Sequence, residues 1–176
     1  MRQAFEQLVD IGVREHWLIA TAEIEILNPA VVLGSGGFGC VALGRFRGTP
    51  VAVKAPRLNT ARNNAKTVAA LCNELRLLRR IRHAHIVAFH GAGIDPASGE
   101  LAMVYEYVDG DSMDAFVREA HARRTRREAV LLKLLVDVGS ALSYLHGASP
   151  PIVHGDIKST NIQVLRFEGG LAYAKL

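Results

Sequence analysis

Cysteine is nearly absent from this sequence: Cys40 and Cys72 are the only two in 176 residues, far apart and without Cys-x-x-Cys spacing. That excludes a disulfide framework and a thiolate zinc site, and makes a reducing compartment the expectation. Aromatic side chains are scarce, at 6% with a single tryptophan. The densest basic run, Arg118 with Arg123, Arg124, Arg126 and Arg127, has none interleaved for base stacking. It reads as a solvated connector between two helices, and no nucleic-acid partner is expected. Long hydrophobic runs are missing as well. The longest, residues 129 to 136, is broken by Lys133 and falls far short of a bilayer span, so no membrane segment is expected. Arg2, Glu6 and Asp10 in the first turns exclude a secretory signal. The balance of 21 basic against 17 acidic residues gives only +4, which suits anionic ligands without pointing to nucleic acid. The expected location is cytoplasmic, with a membrane-attached parent protein compatible with it.

What is present is enough apolar content, 49%, for a real core. The length fits one compact domain or part of a larger one. Phe5, Leu8, Val9, Ile11 and Val13 are spaced for a short amphipathic helix over residues 1 to about 16. Residues 17–19 and 23–26 read as a lead-in. Next, Val31-Val32-Leu33 and Val41-Ala42-Leu43 flank a loop with glycines at 34, 36, 37 and 39. Glycine lets backbone N–H groups approach phosphate oxygens with no Cβ in the way. A dinucleotide loop of this kind opens a helix. Here β-type residues follow, then a Gly48-Thr49-Pro50 turn and a strand Val51-Ala52-Val53-Lys54.

Farther on, Val68, Leu71, Leu75, Leu78 and Ile81 mark a helix within residues 59–82, with Asn59, Thr60 and Asn63 as candidate caps. Glu74 lies inside it, and taken alone is one more charge on a solvated face. His83 and His85 have no carboxylate or cysteine at ligand spacing and are taken as structural. Residues 86–89 and 101–107 read as a strand pair joined by a loop over 91–99. Leu131, Leu134, Leu135, Val138, Leu142 and Leu145 give residues 128–146 a wide apolar helical face. Last come Ile152-Val153-His154-Gly155-Asp156-Ile157-Lys158-Ser159-Thr160-Asn161 and a hairpin over 162–176 with a Glu168-Gly169-Gly170 turn. Asp156, Lys158 and Asn161 are a proton acceptor, a cation and an amide oxygen, three parts needed to move a phosphoryl group. Alone, the same residues fit a polar turn with Asn161 bonding its own backbone.

In order, the glycine loop, the Val-Ala-Val-Lys strand and His-Gly-Asp-Ile-Lys-Ser-Thr-Asn resemble the protein kinase signature set. The segment from Arg47 to Lys54, the leading Trp17, and the runs Leu101–Val108 and Tyr144–His154 resemble the tyrosine-kinase-like group of Ser/Thr kinases, the plant receptor-like and interleukin-receptor-associated kinases in particular. The resemblance implies an α+β, bilobal protein kinase fold over residues 31–176, with residues 1–30 as a lead-in segment. It implies a complete N-lobe to about residue 108, made of a five-stranded antiparallel sheet and one main helix, and the first part of a helical C-lobe after it. It further implies ATP and Mg2+ as cofactors, a protein substrate, and phosphoryl transfer to Ser/Thr hydroxyls in signal transduction.

By that resemblance Leu33, Gly34, Ser35, Gly36, Gly37, Phe38, Gly39 and Cys40 form the nucleotide loop, and Val41 and Ala52 cover the adenine. Lys54, paired with Glu74, holds the phosphates. Tyr105 stands at the back of the adenine pocket, and Glu106, Tyr107 and Val108 form the hinge. Asp111 or Ser112 would lie near a ribose hydroxyl. Asp156 is the base, Lys158 neutralises phosphate charge, and Asn161 is both catalytic and a metal ligand. Three departures stand out. Gly155 replaces the arginine usual before the catalytic aspartate, so control should not depend on pairing with a phosphorylated loop. Gln163 replaces an apolar side chain under the adenine, and a buried amide there needs partners. The magnesium-binding Asp-Phe-Gly motif does not occur before Leu176. The expectation is a fragment of a longer kinase, not catalytically competent by itself and with part of the 128–146 helix uncovered. The alternative is a silent ATP-binding or partner-recruiting module.

Overall fold

The computed structural model describes residues 2–36, 39–55, 65–95, 100–122, 128–167 and 171–176. The chain forms two compact units, Met1–Ile81 with Ala88–Tyr107, and Arg82–Val87 with Val108–Leu176.

The first unit is built on an antiparallel sheet. Its strands are β1 (Ile24–Ile26), β2 (Val32–Gly36), β3 (Gly39–Phe46), β4 (Thr49–Ala55), β5 (Phe89–Asp95) and β6 (Glu100–Glu106). They run in the order β1-β3-β4-β6-β5, with β2 also on β3. The sheet therefore has six strands where five were expected. The additional one, β1, comes from the lead-in segment. It pairs Ile24, Glu25 and Ile26 with Phe46, Arg45 and Gly44. Gly44 makes this approach possible, because a Cβ there would stand 2.6 Å from the Glu25 carbonyl oxygen.

A second correction concerns residues 91–95, expected in a loop and found in β5. Their glycines mark close approach by another chain segment and not a turn. A Cβ at Gly91 would lie 2.5 Å from the Trp17 carbonyl oxygen, and one at Gly93 2.7 Å from Ile24 Cδ1. Residues 17–19 run along this outer strand: Ala92 N–H donates to Trp17 O and Ile19 N–H to Ala92 O, both at 2.9 Å. That covers an edge that would otherwise expose unpaired backbone groups.

Helix α1 (Arg2–Arg14) and helix α2 (Ala65–Arg80) pack together and against β5. Leu8, Trp17, Cys72, Leu75, Phe89, Ala92 and Met103 share one core cluster. The segment before residue 31 thus contributes to this unit's core through Leu8 and Trp17, which places the apolar face of amphipathic α1 against α2 and β5. Gly12 sits under the indole, and a Cβ there would be 2.8 Å from the Trp17 ring. Gly12→Ala is expected to cost about 1–2 kcal/mol by overpacking, measured by urea unfolding.

The second unit holds a small sheet, β7 (Asp111–Ser112), β8 (Gln163–Arg166) and β9 (Ala172–Lys175), with helices α3 (Met113–Ala122) and α4 (Glu128–His146). Ser112 Oγ accepts the Ala115 N–H at 3.2 Å, capping α3 at its start. Phe116, Leu134, Ala141, Val164 and Ala174 form its core. Of the expected strand 86–89, Phe89 pairs with β6 but residues 86 and 87 do not. They join this unit instead, with Val87 N–H donating to Leu176 O and Leu176 N–H to His85 O, both 2.9 Å. By length and composition α4 could cross a membrane. Its Leu134, Val138, Ala141 and Leu145 face is nevertheless buried in the unit's core, and so is Asp137, which reads as a core helix. The opposite face leaves Leu132, Leu135 and Val136 more than 60% exposed, as anticipated.

Candidate active site

In the first unit the glycine loop is a β2–β3 hairpin. Gly36 faces Gly39, Ser35 faces Cys40, and Gly34 faces Val41. Gly37 and Phe38 lie outside the described residues. Leu33 is the additional residue of a bulge between Val32 and Gly34. Gly39 has φ +124°, a backbone that other residues rarely adopt, and nothing lies within 4 Å of where a Gly34 Cβ would be. The hairpin therefore offers open backbone, which is what a phosphate chain needs to come close.

Lys54 is placed by β4, where it faces Val41 on β3 and Met103 on β6. Ala52 faces Leu43 and Tyr105. Glu74 stands exposed on α2. Its carboxylate is near enough to Tyr105 to help raise that phenol's pKa, though burial is the larger cause. Among the described residues Lys54 and Glu74 do not form an ion pair. Tyr105 itself packs against Phe89 with ring centroids 5.4 Å apart. At the hinge, Glu106 N–H donates to Ala88 O at 2.8 Å while the Glu106 carboxylate accepts Ala88 N–H at 3.2 Å. The boundary between the two units falls between Tyr107 and Val108. The candidate caps Asn59, Thr60 and Asn63 lie outside the described residues, as do Arg123, Arg124, Arg126, Arg127 and the 168–170 turn.

In the second unit the segment between α4 and β8 is fixed at both ends and open between. Ile152 N–H donates to Leu145 O at 2.9 Å, and buried Ile162 accepts Met113 N–H at 2.8 Å. Between them Asp156, Lys158 and Asn161 converge. Lys158 Nζ donates to Asp156 Oδ2 at 2.8 Å. Asn161 Nδ2 donates to the same Oδ2 at 2.8 Å and to the Asp156 carbonyl at 2.9 Å. The alternative of an Asn161 turn bond is thus also realised, within the same cluster. Among the described residues both Asp156 Oδ1 and the Asn161 side-chain oxygen take no hydrogen bond. One is placed to accept a hydroxyl proton. The other is a hard oxygen donor fit for a divalent metal.

Lys158 first, and Asn161 second, hold the Asp156 carboxyl below the ordinary carboxylate range. The bonds that order the loop are thus present above the ordinary value and lost only as pH falls through the lowered one. Lys158→Met is expected to move the Asp156 titration midpoint upward, measured by carboxyl-carbon NMR.

Gly155 has φ +78° and no atom within 4 Å of a built Cβ. A Cβ there would meet no obstacle, but a side chain such as arginine's would hold left-handed backbone at a cost of about 1–2 kcal/mol. Asp111 pairs with Arg166 at 2.9 Å, and Ser112 is the α3 cap. Gln163 lies on β8 opposite Ser112 and Lys175.

Two groups escaped the sequence reading. Asp137 is 5% exposed, with Lys133 Nζ at 2.6 Å, Ala174 N–H donating at 3.0 Å and His85 Nε2 at 3.4 Å. The available signal was a Lys–Asp pair four residues apart in an apolar helix. The other is Glu15, gripped by Arg76 from 61 residues away, for which no local signal exists.

Comparison with known proteins matches residues 27–168 to the protein kinase domain. This chain belongs to the protein kinase family. It is 38% identical to human mitogen-activated protein kinase kinase kinase 10 over 135 residues, 76% of this chain and 14% of that protein. Identity is 36% over 138 residues with the Arabidopsis thaliana serine/threonine-protein kinase CTR1, 78% of this chain and 16% of that protein. It is 33% over 165 residues with human serine/threonine-protein kinase TNNI3K, 94% of this chain and 19% of that protein. These relatives lie in the tyrosine-kinase-like group that the motifs suggested. The kinase chain thus spans less than a fifth of their length, and its family implies use of ATP and a divalent metal.

Proposed function

We propose that this kinase chain carries the phosphoryl-transfer machinery of a protein serine/threonine kinase, with Mg2+ as the metal. The observation that carries the reading is the Asp156 carboxylate. Lys158 and Asn161 both occupy Oδ2, and Oδ1 is left for the hydroxyl proton of a serine or threonine. Because phosphoryl transfer has a loose transition state, positioning and charge neutralisation matter more than a strong base. Lys158 supplies a cation for the transferring phosphate, and the Asn161 side-chain oxygen would hold Mg2+. In the first unit the Gly34–Gly39 backbone would take the phosphates, and Lys54 the α- and β-phosphates; Glu106, Tyr107 and Val108 would meet the adenine edge. The loop lysine is the pattern of Ser/Thr kinases, as the resemblance implies.

A thermal-shift titration with Mg-ATP on the 176-residue chain tests the nucleotide half. A saturable upward shift is expected for the wild type, and its loss in Lys54→Met. No shift, or an equal shift in both, would sink the assignment. A silent ATP-binding module is the second reading, favoured by the open Lys54–Glu74 arrangement. It predicts the same shift but no transfer of radiolabelled phosphate to a serine peptide when the parent protein, with Asp156→Asn as control, is assayed.

A further inference from the structure

Residues 85–87 lie along the outer edge of β9 in the second unit. Val87 N–H donates to Leu176 O and Leu176 N–H to His85 O, both at 2.9 Å. One step back along the strand, side chains continue the ladder. Ala174 faces Val164 of β8, but its N–H and C=O point away from that strand. The N–H donates to Asp137 Oδ2 at 3.0 Å, and the carbonyl oxygen lies 3.0 Å from His85 Nδ1. The other ring nitrogen, Nε2, stands 3.4 Å from Asp137 Oδ1. One imidazole thus joins a loop segment, an edge strand and the buried carboxylate of α4.

Both groups that the ring meets are acceptors, a carbonyl oxygen and a carboxylate oxygen. A neutral imidazole has one N–H, so it donates to one of them and turns a lone pair toward the other. An imidazolium donates to both. His83 is the opposite case. Its Nδ1 accepts the His85 backbone N–H at 3.1 Å and so carries no proton, which leaves the ring N–H on Nε2, 3.3 Å from Ser140 Oγ. The charged and titratable neighbours of His85 come from three elements. From α4, Asp137 attracts the charge and Lys133 opposes it, but Lys133 Nζ holds Oδ2 at 2.6 Å and leaves Oδ1 to the ring. From β9, Tyr173 stacks on the imidazole at 6.4 Å, and Lys175 shares that face of the strand. Arg82 and His83 belong to the same segment as His85, the His83 ring 5.6 Å away.

We propose that His85 is a proton-operated tie. With both nitrogens protonated it fastens the 82–87 segment to α4 and β9, and loss of one proton releases one of its two bonds. The tie is therefore complete at acidic pH and weakens as pH rises and the proton leaves. It bears on the site because β8, which continues directly from the Asp156–Asn161 loop, is paired to β9 from Gln163 to Arg166.

Amide hydrogen exchange of the 176-residue chain, corrected for the intrinsic pH dependence of exchange, reads the tie without nucleotide. Protection at Val87, Ala174 and Leu176 is expected to be about tenfold higher at about pH 5.5 than at about pH 8, the scale of one charge-assisted hydrogen bond. His85→Phe keeps a ring against Tyr173 but has no proton to lose, so its protection should be low and equal at both pH values. His83→Gln should keep the wild-type difference. Equal protection at both pH values in the wild type overturns the proposal. A difference that survives in His85→Phe, or vanishes in His83→Gln, assigns the proton to another group and overturns it as well. Should His85→Phe not fold, the imidazole nitrogen shifts of wild-type His85 decide. Two protonated nitrogens at about pH 5.5 support the tie, and a ring with a single N–H there sinks it.

Discussion

Trp17→Ala is expected to lower the stability of the first unit by about 3–5 kcal/mol, the usual cost of truncating a fully buried large aromatic. The indole is 1% exposed and lies in the cluster with Leu8, Leu75 and Phe89. Gly12 is the residue that makes room for it, which leaves little scope for local collapse around a cavity. The substitution also removes the donor that orients Glu15, so the grip on Arg76 loosens together with the packing. As Trp17 is the only tryptophan in the chain, unfolding has to be followed by circular dichroism in urea. Trp17→Phe should cost less, about 1–2 kcal/mol, because most of the ring volume remains. A loss below about 1 kcal/mol for the alanine variant would contradict the assignment of Trp17 to the core of this unit.

Asp137→Ala should cost the second unit about 3 kcal/mol, because it strands partners that cannot all turn to water. Asp137 Oδ2 accepts both the Ala174 N–H at 3.0 Å and Lys133 Nζ at 2.6 Å, and Oδ1 faces His85 Nε2 at 3.4 Å. His85 Nδ1 in turn lies 3.0 Å from the Ala174 carbonyl oxygen. One carboxylate thereby ties α4 to β9 and to the 82–87 segment. Lys133 is 39% exposed and lies over the Tyr173 ring, so its charge keeps some compensation. The Ala174 N–H is buried and does not. Asp137→Asn keeps an acceptor for that N–H and should recover roughly half the loss. Equal losses for alanine and asparagine in urea unfolding would show that the charge, and not the hydrogen bond, holds the unit together.

Much of the site was legible because it is written in short-range patterns. The Gly34–Gly39 hairpin, the Lys54 strand and the Asp156–Asn161 loop are each contiguous, so the residues that act together are neighbours in sequence. Helix α4 was legible to the residue, from Glu128 to His146, since a long apolar stripe closed by a glycine and two prolines has one local solution. The strands were less so. Residues 91–95 carry two glycines and were expected to turn, yet they extend because residues 17–24 lie against them. A glycine that admits a neighbouring backbone and a glycine that bends its own look the same in one dimension.

The sequence by itself determined the family and the order of its motifs along the chain. These depend on spacing along one chain, which is covalent and fixed. Only the tertiary structure decided that Leu8, Trp17 and Ile19 belong to the first unit's core and that Asp137 is the tie within the second unit. It alone set the flank of α2 that Glu15 holds. Those outcomes rest on contacts between residues dozens of positions apart, such as Glu15 with Arg76 and His85 with Asp137. They depend on which apolar faces bury one another, and no local pattern encodes that choice.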